Sequence, residues 1–319
     1  MIDTQALGFP KPRVIAGRTS IADIFSPSNR CGIYILYFSN GEYYVGQSKD
    51  VTRRFVQHLR IHHDIEKLAF KRVARKNLDA EEAAVAAVLE GQGHKLRNIL
   101  LTSIPKGESD FDLIMPLEDQ NRWIAGQDYM SPPGVRIVEP ELRRKYQGKF
   151  LQLTQMPHSE KAIAGLQHYL RIGVPAPLRT EVSFWSCSCL PSFHNKQITI
   201  YSRINLFWQE VFTASLEDKQ LSFSIHLTLS VLQKEFGPSL SKLARRHPLV
   251  GIYDHTYAPG GPDQINLDAQ GSSALQRLLE DETIVSAIRL FNLRLMKKGP
   301  CRFSRYHCMD LADRLLATT

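Results

Sequence analysis

Tyr34 closes the run Gly32-Ile33-Tyr34, and Tyr44, ten positions on, opens the run Tyr44-Val45-Gly46. Arg54 and His58 follow, four residues apart. Two phenols, a guanidinium and an imidazole suit phosphodiester hydrolysis. A fixed cation stabilises the charge on pentacovalent phosphorus while weak acids and bases move protons. Taken singly, each has a plainer reading: tyrosines packed in a hairpin core, and an arginine and a histidine at a helix edge. The chemistry requires the intervening chain to bring all four to one place.

The runs IYILYF and YYVG are short and β-forming, and SNGE between them is a turn signal. A two-residue Asn40-Gly41 loop pairs Tyr37 with Tyr44 and sends Tyr34 to the far face. A three-residue loop with Gly41 left-handed pairs Leu36 with Tyr44 and puts both phenols on one face. Cooperating phenols therefore require the three-residue loop. Next comes QSKDVTRRFVQHLRIHH, where Asp50 is placed to cap a helix and Val51, Phe55 and Leu59 recur at helical spacing. Arg54 and His58 lie one step from that stripe, at the seam between helix and hairpin. Arg53 points about a quarter-turn away.

The ordered series Gly32-Ile33-Tyr34, Tyr44-Val45-Gly46, Arg54 and His58 resembles the GIY-YIG nuclease family, over roughly residues 30–102. The resemblance implies a metal-dependent nuclease on a compact core. Tyr34 would be the general base, Tyr44 would bond the site or the phosphate, and Arg54 would stabilise the transition state. It also implies a metal-binding glutamate on a later helix and an asparagine near that helix's end. LDAEEAAVAAVLEGQGHKLRNI supplies Glu81, Glu82 and Asn98. With the apolar face set by Val85, Val88 and Leu89, Glu81 lies nearer its centre and is chosen as metal ligand, with Glu82 second. The Asn98 amide would orient the site. A single carboxylate with waters suits Mg²⁺ or Mn²⁺. Many members carry lysine just after the second triplet; here it is Gln47, which adds no charge, and Lys49 is a substitute.

The expected fold is α+β: a small antiparallel sheet flanked by helices, then a second α+β domain. The divisions are a lead-in (1–29), the nuclease-like domain (30–103), a connector (104–151) and a C-terminal domain (152–319). The net charge is +8 over 319 residues, and Lys49 to Lys76 holds nine Lys/Arg against three Asp/Glu. Such a stripe attracts polyanions by counterion release. DNA is the expected partner, with RNA open because phosphate recognition alone does not read the sugar. No apolar stretch reaches membrane-spanning length, and no signal peptide is read at the N-terminus. Five cysteines are too few and odd in number for a disulfide framework, so a reducing cytoplasm is expected.

In the C-terminal domain, Cys187 and Cys189 near His194, and Cys301, His307 and Cys308, match no standard zinc spacing and read as packing residues. Trp185, Phe193, Tyr201, Phe207 and Trp208 near Arg203 also read as core, with base stacking the alternative. The overall expectation is a metal-dependent DNA endonuclease, with restriction or phage defence by analogy of fold. The other readings are a non-catalytic nucleic-acid-binding or assembly protein that keeps the core, and an RNA-directed nuclease.

Overall fold

A computed structural model describes residues 4–60, 62–98, 109–127, 136, 139–195, 197–254 and 257–317. Two compact units emerge, Met1–Lys106 and Gly107–Thr319. The domain boundary expected at residue 103 lies outside the described residues.

The first unit is built on β1 (Arg13–Val14), β2 (Gly32–Phe38), β3 (Tyr43–Ser48) and β4 (Ile65–Arg72), in sheet order β1-β4-β2-β3. Every pairing is antiparallel. β2 is central and every one of its residues is buried, which explains its unbroken apolar run. β3 is an edge. Helix α1 (Val51–Leu59) covers one face, packing Val51 and Phe55 on Tyr34, Leu36 and Phe38. Helix α2 (Leu78–Gly91) covers the other, packing Val85, Ala86 and Leu89 on Ile33, Ile35 and Val45. The lead-in segment adds β1 to the sheet and Phe9, Ile15, Ile21 and Phe25 to the two cores.

The hairpin uses the three-residue loop. Leu36 pairs with Tyr44 and Tyr34 with Gly46. The Phe38 N–H donates to the Glu42 carbonyl, leaving Ser39, Asn40 and Gly41 as the loop, with Gly41 at φ 80°. Tyr34 and Tyr44 thus share the α1 face, their ring centroids 6.2 Å apart.

The second unit carries a six-stranded antiparallel sheet, ordered β5-β6-β7-β8-β10-β9. These strands are β5 (Trp185–Cys189), β6 (Ile198–Leu206), β7 (Gln209–Glu217), β8 (Gln220–Leu227), β9 (Val250–Tyr253) and β10 (Ile265–Gln270). The helices Ser159–Gly173 and Glu282–Lys298 supply the largest share of its apolar cover. The stretch expected to connect the domains contributes Phe111, Met115, Trp123 and Tyr146 to this core. Trp185, Tyr201 and Phe207 lie in the core, whereas Phe193 and Trp208 are exposed. Cys187, Cys189 and Cys308 pack there too, and His194 is exposed. His307 spends both ring nitrogens, one accepting from the Cys187 N–H at 3.1 Å and the other facing Glu181 at 3.1 Å.

Gly46 is dictated by the ring it faces. A Cβ there would stand 2.3 Å from the Tyr34 Cζ and hydroxyl oxygen. Gly46→Ala should therefore cost about 1–3 kcal/mol through overpacking, read by urea denaturation of the full chain. Wild-type stability in that variant would show that the phenol is free to swing aside.

Candidate active site

The site begins at the free edge of β3. An edge strand presents outward N–H groups that need partners. The Tyr43 N–H donates to the Lys95 carbonyl at 2.9 Å, and the Tyr43 carbonyl accepts from the Arg97 N–H at 2.7 Å. The Val45 N–H donates to Asn98 Oδ1 at 2.8 Å, and Asn98 Nδ2 returns a bond to the Val45 carbonyl. The Gln47 N–H donates to Glu82 Oε1 at 3.1 Å. Alternate residues of one edge are thus closed in turn by main chain, an amide and a carboxylate.

Glu82 is further held by Gln47 Nε2, which donates to its Oε2 at 3.0 Å and also reaches Asp79 Oδ1. Burial is the largest influence on Glu82 and raises its pKa; the Gln47 bonds and the Arg54 charge oppose this, while the Asp79 charge adds to it. Glu81 does not join the group. Its carboxylate, 42% exposed, pairs with Lys71 Nζ at 2.8 Å. The helix wheel based on Val88 misplaces the buried stripe: Val88 is 41% exposed, and the inward residues are Leu78, Val85, Ala86 and Leu89. Glu82 stands one turn from Leu78, Val85 and Ala86, so it lies on that stripe and Glu81 at its flank.

On the α1 side, Asp50 caps the helix by accepting from the Thr52 and Arg53 N–H groups. This sets the register that turns Phe55 and His58 inward and leaves Leu59 only partly buried. His58 Nε2 lies 2.6 Å from the Tyr34 hydroxyl. Its ring stands edge-on to both phenols, with centroids 5.6 Å from Tyr34 and 4.7 Å from Tyr44. Burial lowers the His58 pKa to about 4, assisted by the Arg54 and His62 charges. The imidazole is therefore neutral near pH 7, and in the tautomer protonated at Nδ1 its Nε2 accepts the phenol's hydrogen.

Arg54 turns from α1 toward the phenols, and its Nη1 donates to Gln57 Oε1 at 2.8 Å. Hydrogen bonding to Tyr34, and then to Tyr44, raises its pKa, so it stays charged. Burial pushes both tyrosines up, the Tyr44 charge adding to the effect on Tyr34 and Arg54 opposing it at both. Tyr34, Tyr44, Arg54 and His58 are thereby brought together, with the Glu82 charge acting on both phenols. Asn98 sits behind them, on the strand between Tyr44 and Gly46.

Two participants went unread in the sequence. Asp79, one turn before Glu82, would have stood out had Glu82 been taken as the centre of the face. His62 stacks on His58 at 5.9 Å, and the four-residue spacing of the two histidines is its sequence signal.

Among the described residues no three His, Cys, Asp or Glu side chains cluster as a metal site. A divalent ion here would rest on one carboxylate, water and the phosphate itself, a donor set that suits a hard cation. The half-buried Glu82, penalised as an anion by burial and by Asp79, fits such an ion.

Residues 30–80 match the family model of the GIY-YIG catalytic domain. That span holds Tyr34, Tyr44, Arg54 and His58 and ends just before Glu82 and well before Asn98. A GIY-YIG catalytic domain indicates a nuclease of that type. No curated protein and no solved structure matches the chain.

The depressed His58 pKa has a consequence for stability. An unfolded histidine titrates near 6.5, so between about 6.5 and about 4 the unfolded chain takes up a proton that folded His58 refuses. This contribution is present above the unfolded value and is lost as pH falls through the window. His58→Gln keeps an acceptor for Tyr34 but cannot titrate. The stability of wild type relative to this variant should fall as pH is lowered from about 7 to about 4.5. Urea denaturation across that range reads the difference, and a constant one would show that His58 is not held neutral.

Proposed function

We propose that the first unit is a metal-dependent endonuclease centre that hydrolyses DNA phosphodiester bonds. The observation that carries this reading is the convergence of a neutral imidazole, two phenols, a charged guanidinium and a half-buried carboxylate on one end of β3. The exposed Arg53, Arg54 and Arg60 along α1 offer the strand backbone a cationic approach.

The proton path follows from the pKa directions. Tyr34 is too weak an acid to wait as a phenolate, since burial raises its pKa. His58, neutral and 2.6 Å away, can take the Tyr34 hydrogen while the phenol oxygen takes one from the attacking water. The phenol is then restored and the imidazole holds the proton. Arg54 stabilises the charge that builds on phosphorus, and Tyr44 donates to a non-bridging oxygen. Asn98 positions rather than reacts, because both ends of its amide are spent on Val45. Glu82 would hold Mg²⁺ or Mn²⁺, which when bound supplies Lewis-acid stabilisation of the leaving oxygen.

Supercoiled plasmid with Mg²⁺ or Mn²⁺ tests this assignment. Arg54→Ala and Glu82→Gln should each slow nicking by about a hundredfold or more, while EDTA abolishes it. Glu81→Ala should stay within a few-fold of wild type. An active Glu82→Gln or an inactive Glu81→Ala would refute the placement of the metal-binding carboxylate. Single-stranded DNA and RNA run in parallel separate the substrate classes.

A further inference from the structure

The second unit contains a cavity of about 570 Å³, in the range of small-ligand sites, that the nuclease reading leaves unused. Phe193, Trp208 and Tyr306 line it at 47%, 49% and 41% exposure. Large rings left this open, grouped at one concavity, mark a binding surface. Each has a guanidinium near it: Arg203 lies 5.8 Å from the Phe193 centroid, Arg302 5.5 Å from Trp208 and Arg305 4.8 Å from Tyr306. Lys149 adds another cation to the lining, and the one carboxylate there, Glu210, is paired with Arg203 at 2.8 Å. The surroundings therefore favour a flat, stackable ligand that carries negative charge.

The backbone is strained to present these rings. Phe207 has φ 50° and Leu190 has φ 43°, left-handed values that disfavour bulky side chains. Each leads directly into a lining segment, Trp208 to Glu210 in one case and Pro191 to Phe193 in the other. The turn between β6 and β7 buries Phe207 and projects Trp208, where glycine at the first of the two positions would turn without strain.

The wall also has an unmet acceptor. Gln264 Nε2 donates to the Tyr257 and Gly261 carbonyls, so its Oε1 must face Gln209, whose Nε2 donates to it at 3.0 Å. That fixes the Gln209 amide and leaves its Oε1 buried and, among the described residues, without a hydrogen-bond partner. Ser188 Oγ, also on the lining, is in the same condition. Both oxygens are closed to solvent, so they add strain to the wall rather than an acceptor to the cavity.

We propose that this cavity is a site for an unstacked nucleobase, with Trp208, Phe193 and Tyr306 as stacking platforms and the cations for its phosphate. The choice of a nucleic acid as source rests on the nuclease reading of the first unit. The base chemistry does not.

The test uses the full-length protein in EDTA, where cleavage cannot occur. Trp208 is the exposed member of three tryptophans, the other two being buried, so its fluorescence reports stacking. A short single-stranded DNA should quench it and bind more tightly than the same sequence fully paired. Trp208→Ala and Tyr306→Ala should each weaken that binding by about ten- to a hundredfold, read in both variants by the anisotropy of a dye-labelled strand, with the denaturation midpoint unchanged. Quenching by a deoxynucleoside monophosphate at comparable affinity would support the base site and assign a free nucleotide as its source. No quenching by either probe, or unchanged affinity in both variants, overturns the proposal. Binding that survives in an inactive Glu82→Gln variant keeps this result separate from the fate of the nuclease reading.

Discussion

The outward N–H groups of β3 set the terms for the first unit. An edge strand with buried flanks cannot leave Val45 and Gln47 unpaired without losing about 1–3 kcal/mol at each. Here Asn98 Oδ1 and Glu82 Oε1 accept from them. The solution carries chemistry with it. α2 packs on the face of the sheet opposite the phenols, so a carboxylate on that helix meets them only around the edge of β3. The Gln47 N–H is the group that holds it there. Asn98 closes the position between Tyr44 and Gly46, so the strand that presents the second phenol cannot fray from its outer side.

On the inner side, the same strand solves a packing problem. Tyr34 and Gly46 are direct cross-strand partners, and only a residue without Cβ lets the phenol lie over the neighbouring backbone. The ring then reaches the His58 imidazole beneath α1. Burial acts on the two partners in opposite directions, raising the phenol's pKa and lowering the imidazole's. Both are neutral when no substrate is bound, and in the proposed relay the phenol gives up its hydrogen only as it takes one from water, so no phenolate forms in a buried place. Arg54, at the exposed rim, is the member that keeps its charge. The division suits a substrate that arrives as an anion from solvent.

Much of this was legible locally. The turn residues suit either loop and the need for a shared face selects the hairpin register, while Asp50 followed by the Val51 and Phe55 stripe gives α1 and the directions of Arg54 and His58. What escaped depends on distant packing. On α2 the choice between adjacent glutamates turned on whether Val88 or Ala86 faces the sheet. Side-chain hydrophobicity favours the valine, yet the close packing of helix on sheet takes the alanine. In the second unit, alternation read all five aromatics as core. Adjacent Phe207 and Trp208 cannot both point inward from a two-residue turn, so one was bound to leave it.

Gln47 shows how a departure from the family pattern alters the electrostatics without dismantling the geometry. A lysine at this position would bring its own positive charge to the end of β3. Glutamine donates both its main-chain and side-chain N–H groups to Glu82 and reaches Asp79 as well, so it orders two carboxylates while neutralising neither. Lys49, the substitute offered by the sequence, is exposed, and Lys71 on β4 is paired with Glu81. Arg54 eases the Glu82 charge, yet burial and Asp79 outweigh it and the pKa stays raised. A carboxylate ordered by neutral donors and left short of positive charge gains most from a cation that arrives from outside. In the proposed reading, glutamine here would shift the demand for charge from the protein to an ion held by Glu82.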